Sequence, residues 1–125
     1  MNAAQRSCWL AVAALLALPA WAHGPATSAR NLDKKVEISA GNVHEECFDL
    51  RLGARIRYDF RANRPLDFNL HAHDGDGIAT PVKRAGVRSL KGTYTTNKSR
   101  GYCLQWSNPG SGSATLHYRI NIGTK

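Results

Sequence analysis

From Arg55 to Arg61 the chain alternates without a break: Ile56, Tyr58 and Phe60 are apolar, and Arg55, Arg57, Asp59 and Arg61 are charged. A period of two marks a strand with one buried face and one solvated face. The next run repeats it, setting Leu66, Phe68 and Leu70 against Asp67, Asn69, His71 and His73. Shorter alternations follow the same rule: Val36/Ile38, Phe48/Leu50, Tyr102/Leu104/Trp106 and Leu116/Tyr118/Ile120/Ile122. Past the first two dozen residues no stretch carries an i, i+3, i+4, i+7 apolar stripe, so helices are not the framework. Breaks at Gly41-Asn42, Gly53, Asn63-Arg64-Pro65, Asp74-Gly75-Asp76-Gly77, Gly92 and Ser107 to Gly112 separate the runs. Together they predict an all-β fold, an antiparallel β-sandwich of about seven to eight strands in jelly-roll style. Pro81 marks an edge or a strand end.

The first 22 residues read differently. Arg6 is followed by an apolar run from Trp9 to Leu18 and by Ala20-Trp21-Ala22, the pattern of a secretory signal peptide cleaved after Ala22. Its apolar core is too short to span a bilayer, and no transmembrane segment is expected later. The expected organisation is a signal peptide over 1–22, a flexible arm over 23–34 and one β-sandwich domain over 35–125, in a periplasmic or secreted protein. The chain has 125 residues and a net charge of +8, enough for a single domain. The positive charge is dispersed, with no basic run longer than Lys34-Lys35 or Lys83-Arg84. That pattern points away from specific nucleic-acid binding and is explained at least as well by solubility; the expected partner is an unknown protein or anionic ligand.

Of the three cysteines, Cys8 falls in the signal peptide, leaving Cys47 and Cys103. In an oxidising compartment a surviving pair reads as a disulfide. The competing roles, thiolate nucleophile or metal ligand, find no CxxC spacing. Cys47 is out of phase with Phe48 and Leu50, and Cys103 with Tyr102 and Leu104. Both therefore belong to an outer face, where neighbouring strands can be bridged.

If residues 55–61 and 67–73 form a hairpin about Asn63-Arg64-Pro65, charge selects its register. Setting Arg61 opposite Asp67, Asp59 opposite Asn69, Arg57 opposite His71 and Arg55 opposite His73 avoids opposing Asp59 to Asp67. The expectation is one polar recognition surface made of Arg55, Arg57, Arg61, Asp67, Asn69, His71 and His73.

His71 and His73 share a strand face and could share copper or zinc. After cleavage at Ala22, His23 would be N-terminal and could chelate through its amine and imidazole, as in a copper histidine brace. His44, His117, Asp74 or Asp76 could complete a shell, although Arg55 and Arg57 beside the imidazoles would oppose a cation. Asp74-Gly75-Asp76-Gly77 lacks the later ligands of a calcium loop and reads as a hairpin turn. No G-x-S-x-G surrounds a serine, Glu45 and Glu46 point to opposite faces, and Gly110 to Ser113 is not a phosphate loop. Trp106 falls in the core phase. No catalytic residues are assigned, and the one enzymatic alternative is a copper-dependent oxidative enzyme with an N-terminal His.

Cys47-Phe48, Gly53, Tyr58-Asp59-Phe60, Asp67-Phe68-Asn69, Gly92-Thr93-Tyr94, Tyr102-Cys103-Leu104 and Ser107-Asn108 come in an order that resembles GOLD domains. These are luminal β-sandwiches of early-secretory-pathway cargo receptors. The resemblance spans about residues 36 to 122 and implies a non-enzymatic binding module with a Cys47–Cys103 bridge. Those receptors continue into a coiled coil and membrane anchor, whereas this sequence stops at Lys125, so cargo sorting is not carried over. The chain is also similar to small exported bacterial proteins with a PLDFNxHxH strand. The expected function is an exported, non-enzymatic interaction module, with copper or zinc binding at His71 and His73 as the alternative.

Overall fold

A computed structural model describes residues 30–124. Its strands are β1 (Asn31–Ile38), β2 (Val43–Leu50), β3 (Arg55–Asp74), β4 (Gly77–Thr95), β5 (Arg100–Ser107) and β6 (Ala114–Gly123), all paired antiparallel. β3 organises the rest. Its first half, Arg55–Ala62, pairs with β6, and Asp67–Ala72 in its second half pairs with β5. β4 runs along the other edge of β3, while β1 extends the sheet beyond β6 and β2 beyond β5.

The alternation explains why this sheet closes on itself. Ile56, Tyr58, Phe60, Leu66, Phe68 and Leu70 are all buried, so both halves of β3 turn their even positions inward. Phe60 and Phe68 meet with ring centroids 5.0 Å apart, and Tyr58 meets Phe68 at 5.2 Å. Trp106 of β5 stacks on Tyr118 of β6 at 4.8 Å. One layer, β1-β6-β3-β4, is thus folded over the other, β2-β5-β3-β4, with the aromatic core between them. Burying side chains of this size contributes roughly 1.5–3 kcal/mol each before chain entropy is set against it.

The all-β sandwich and its disulfide agree with the sequence reading, but the strands number six rather than seven or eight. The difference has a local cause. Asn63-Arg64-Pro65 is a bend inside β3, not a turn between strands, and Pro65 lies where the β3–β4 register slips between Arg61 and Leu66. A missing amide donor costs little where the ladder is already interrupted. Gly86, at φ +64°, occupies a second slip, and its amide donates to Asp67 Oδ1 at 2.9 Å. Pro81 lies in β4 beside a third slip, between Leu70 and Ala72 of β3. β4 therefore absorbs its breakers as bulges and continues.

The expected hairpin between 55–61 and 67–73 does not form. Arg57 stands opposite Thr93 and Asn121, and His71 opposite Cys103. The hairpin partner of β3 is β4, through the turn Asp74 to Gly77 with Gly75 at φ +61°. β1 begins at Asn31, inside the stretch expected to be a flexible arm, because Leu32, Val36 and Ile38 pack on the core from an edge strand. The expected signal peptide, Cys8 and His23 lie outside the described residues.

Cys47 and Cys103 are directly opposed on β2 and β5, with Cα atoms 4.1 Å apart, and are joined by a disulfide. Asn108, buried in the β5–β6 turn, donates through Nδ2 to the carbonyls of Ile38 and Gly112 at 2.8 Å each. It thereby satisfies two carbonyls at the end of the sandwich.

Candidate binding faces

The fold-back of β3 decides where its polar residues go. Even positions of the two halves face one another, so odd positions look out from opposite sides of the sandwich. Arg55, Arg57 and Arg61 stand on the outer face of the β1-β6-β3-β4 layer. Asp67, Asn69, His71 and His73 stand on the outer face of the other layer. The single surface expected from the hairpin register is therefore two separate faces.

On the first face two adjoining hollows, of about 670 and 440 Å³, run across β1, β6, β3 and β4. Both are lined by Asp59 and Arg119. Asp59 is held by Arg119 at 3.2 Å and by Lys91 at 3.6 Å. Arg57 lines the larger hollow and Arg61 the smaller, one on each side of Asp59 along the strand, and both are exposed. Among the described residues neither guanidinium makes an ion pair. Asp33 of β1 accepts from His117 Nε2 of β6 at 2.6 Å, near the hollows' outer margin. The groove thus carries a surplus of cations around a carboxylate that is already neutralised.

On the opposite face Asp67 is taken up by the Gly86 bulge. His71 is buried, its Nδ1 donating to Asn69 Oδ1 at 2.7 Å and its Nε2 lying 3.8 Å from Glu45 Oε2. Burial holds its imidazole below the ordinary histidine pKa; Glu45 opposes the shift and His73 adds to it. The His71 and His73 rings are 5.3 Å apart, and His73 Nε2 lies 3.7 Å from Cys103 Sγ. The arginines expected to oppose a metal here are on the far face. Asp74, considered as a further ligand, is instead engaged by Arg100 at 3.0 Å and Lys98 at 3.2 Å. The Lys98 hydrogen bond and charge, then Arg100, hold its carboxyl below the usual range.

Glu46 lies in the inward phase of β2, beside Phe48 and Leu50, and is buried. It accepts from Lys34 Nζ at 2.7 Å and from the Tyr118 hydroxyl. Tyr118 in turn accepts from His44 Nε2 at 2.9 Å. Burial and then the Glu46 carboxylate push the Tyr118 phenol well above its ordinary pKa, while burial holds His44 below the histidine norm. The sequence reading passed over this chain of groups, although a glutamate in an apolar phase was the available signal. His44 and His117 are spent here and on Asp33, not on His71 and His73.

No family model matches the chain, and no curated protein matches it. Solved structures with a similar fold do exist. A periplasmic inhibitor of g-type lysozyme from Aeromonas hydrophila, PliG, aligns with a TM-score of 0.59 at 12% identity, covering 77% of this chain and 89% of its own. The Salmonella Typhimurium PliG gives 0.55 at 15%, covering 78% and 91%. The Yersinia pseudotuberculosis-derived mitogen gives 0.59 at 10%, covering 76% and 87%. At such identities the likeness is one of fold: this chain is built as small β-rich sandwiches are, among them two periplasmic inhibitors.

Proposed function

We propose that this protein is an exported, non-enzymatic binding module that holds an extended acidic segment of a partner protein in the groove over β6 and β3. The observation that carries the reading is the pair Arg57 and Arg61. Both are exposed in adjoining hollows, while the carboxylate between them is occupied by Arg119 and Lys91. Guanidinium groups without a partner favour bidentate capture of carboxylates. Two hollows end to end suit a chain better than a compact ligand. Export is supported by the signal-like N-terminus and the Cys47–Cys103 bridge. A role in binding is supported by the similar folds described as lysozyme inhibitors.

The test is fluorescence anisotropy with a labelled oligoglutamate peptide. Binding should weaken as salt rises, and Arg57→Glu/Arg61→Glu should lower affinity by about tenfold or more. His71→Ala/His73→Ala, on the opposite face, should leave it unchanged. Equal affinity of the wild type and the charge-reversed protein would sink the proposal.

A further inference from the structure

Three strands place four metal-ligating side chains in one patch of the second outer face. Cys47 opposes Cys103, and Cys103 opposes His71, so these three form a row across β2, β5 and β3. His73, two residues along β3 on the same face, completes the group with Nε2 3.7 Å from Cys103 Sγ. The donor atoms of His71, His73 and Cys103 all lie within 4.8 Å of one another.

We propose that the Cys47–Cys103 disulfide is the closed form of a tetrahedral zinc-type site, and that its reduction opens the site with Cys47, Cys103, His71 and His73 as ligands. While the bridge is closed, neither sulfur is a thiolate and only the two imidazoles remain as ligands of this set. A dithiol reductant transfers two electrons and two protons to the bridge and leaves as its own cyclic disulfide. The ion then displaces the protons from both thiols and binds two thiolates and two neutral imidazoles.

Three observations favour this set. Metal–sulfur bonds of about 2.3 Å and metal–nitrogen bonds of about 2.05 Å at tetrahedral angles require S···N separations of roughly 3.6 Å. His73 and Cys103 already stand 3.7 Å apart. Asn69 Oδ1 accepts from His71 Nδ1, the buttress a metal-binding histidine uses, which leaves Nε2, 3.8 Å from Glu45 Oε2, as the ligand atom. A set of two thiolates and two imidazoles is the four-ligand tetrahedral pattern of structural zinc sites. Because this face is opposite the arginine groove, the inference stands or falls separately from the proposed binding role.

The experiment uses the folded protein, bridged or reduced with a phosphine under argon, titrated with cobalt(II) and then challenged with zinc(II). The reduced protein should give the intense visible bands of tetrahedral thiolate-bound cobalt, displaced by zinc, at about a hundredfold higher affinity than the bridged protein. His71→Ala/His73→Ala in the reduced state should weaken binding at least tenfold and alter those bands. Circular dichroism covers the case in which reduction loosens the fold, since zinc should then restore the β signal. Equal affinity in the two redox states, cobalt spectra unaffected by the histidine substitutions, or a reduced chain that zinc neither binds nor refolds would each overturn the assignment.

Discussion

Phe60 and Phe68 belong to the same strand, yet their rings lie 5.0 Å apart across the core. Only a strand that doubles back can do this, since eight extended residues would otherwise separate them by roughly 26 Å. The contact holds the two layers together and sends Arg57 and His71 to opposite sides of the molecule.

Phe68→Ala should therefore be among the most damaging single core truncations. Its ring touches Tyr58, Phe60 and Trp106. A loss of about 3–5 kcal/mol is expected, read as a lower denaturant midpoint at unchanged slope.

Gly92 faces Tyr58 across β3 and β4, and a Cβ there would collide with the Tyr58 hydroxyl and ring. Elsewhere in a strand Gly→Ala gains about 0.5–1 kcal/mol from backbone entropy. Here Gly92→Ala should instead cost about 1–3 kcal/mol through overpacking. In a Tyr58→Ala background the same substitution should become neutral or stabilising, and thermal unfolding of the four proteins in the cycle measures the coupling.

The bridge closes a loop of 56 residues in sequence separation. Replacing both cysteines by alanine should lower stability by about 2–5 kcal/mol. The substitution also removes the two thiolate ligands, so zinc should stabilise this variant against urea far less than it stabilises the reduced wild type.

Acid should destabilise the fold before the carboxylates titrate. Burial, reinforced by Lys34 and opposed by Glu46 and Glu45, holds His44 below its ordinary value of 6.5. The unfolded chain then binds more protons than the folded one, so stability rises with pH across this window. Acidification from neutrality through pH 6.5 should progressively lose it, levelling once pH falls below the folded-state value. His71 shifts in the same direction. Denaturant midpoints between about pH 7.5 and 5.5 should fall less steeply for His44→Asn/His71→Asn than for the wild type. An equal fall in the two proteins would contradict this account.

The sequence alone determined the class of fold, the cysteine pairing and the inward phase of the apolar residues, although His71 and Cys103, in the outward phase, are buried as well. The pairing follows from there being two cysteines after the signal-like stretch. The fold class and the phase follow from a period of two, which is a local property of the backbone. Phe68 is inside and Asp67 outside for that reason, and Glu46 could have been picked out as the charged residue in an apolar phase. Tertiary structure decided how many strands there are and which polar residues share a surface. Pro65, Pro81, Gly86 and Gly92 punctuate in a free chain, but pairing with neighbouring strands absorbs the first three as bends and bulges and holds Gly92 in regular register opposite Tyr58. Arg57 shares a hollow with Arg119 of β6, while His71 stands opposite Cys103 of β5, because β3 bends in its middle. Periodicity fixes which way a side chain faces relative to its own strand; only long-range packing fixes where that strand faces.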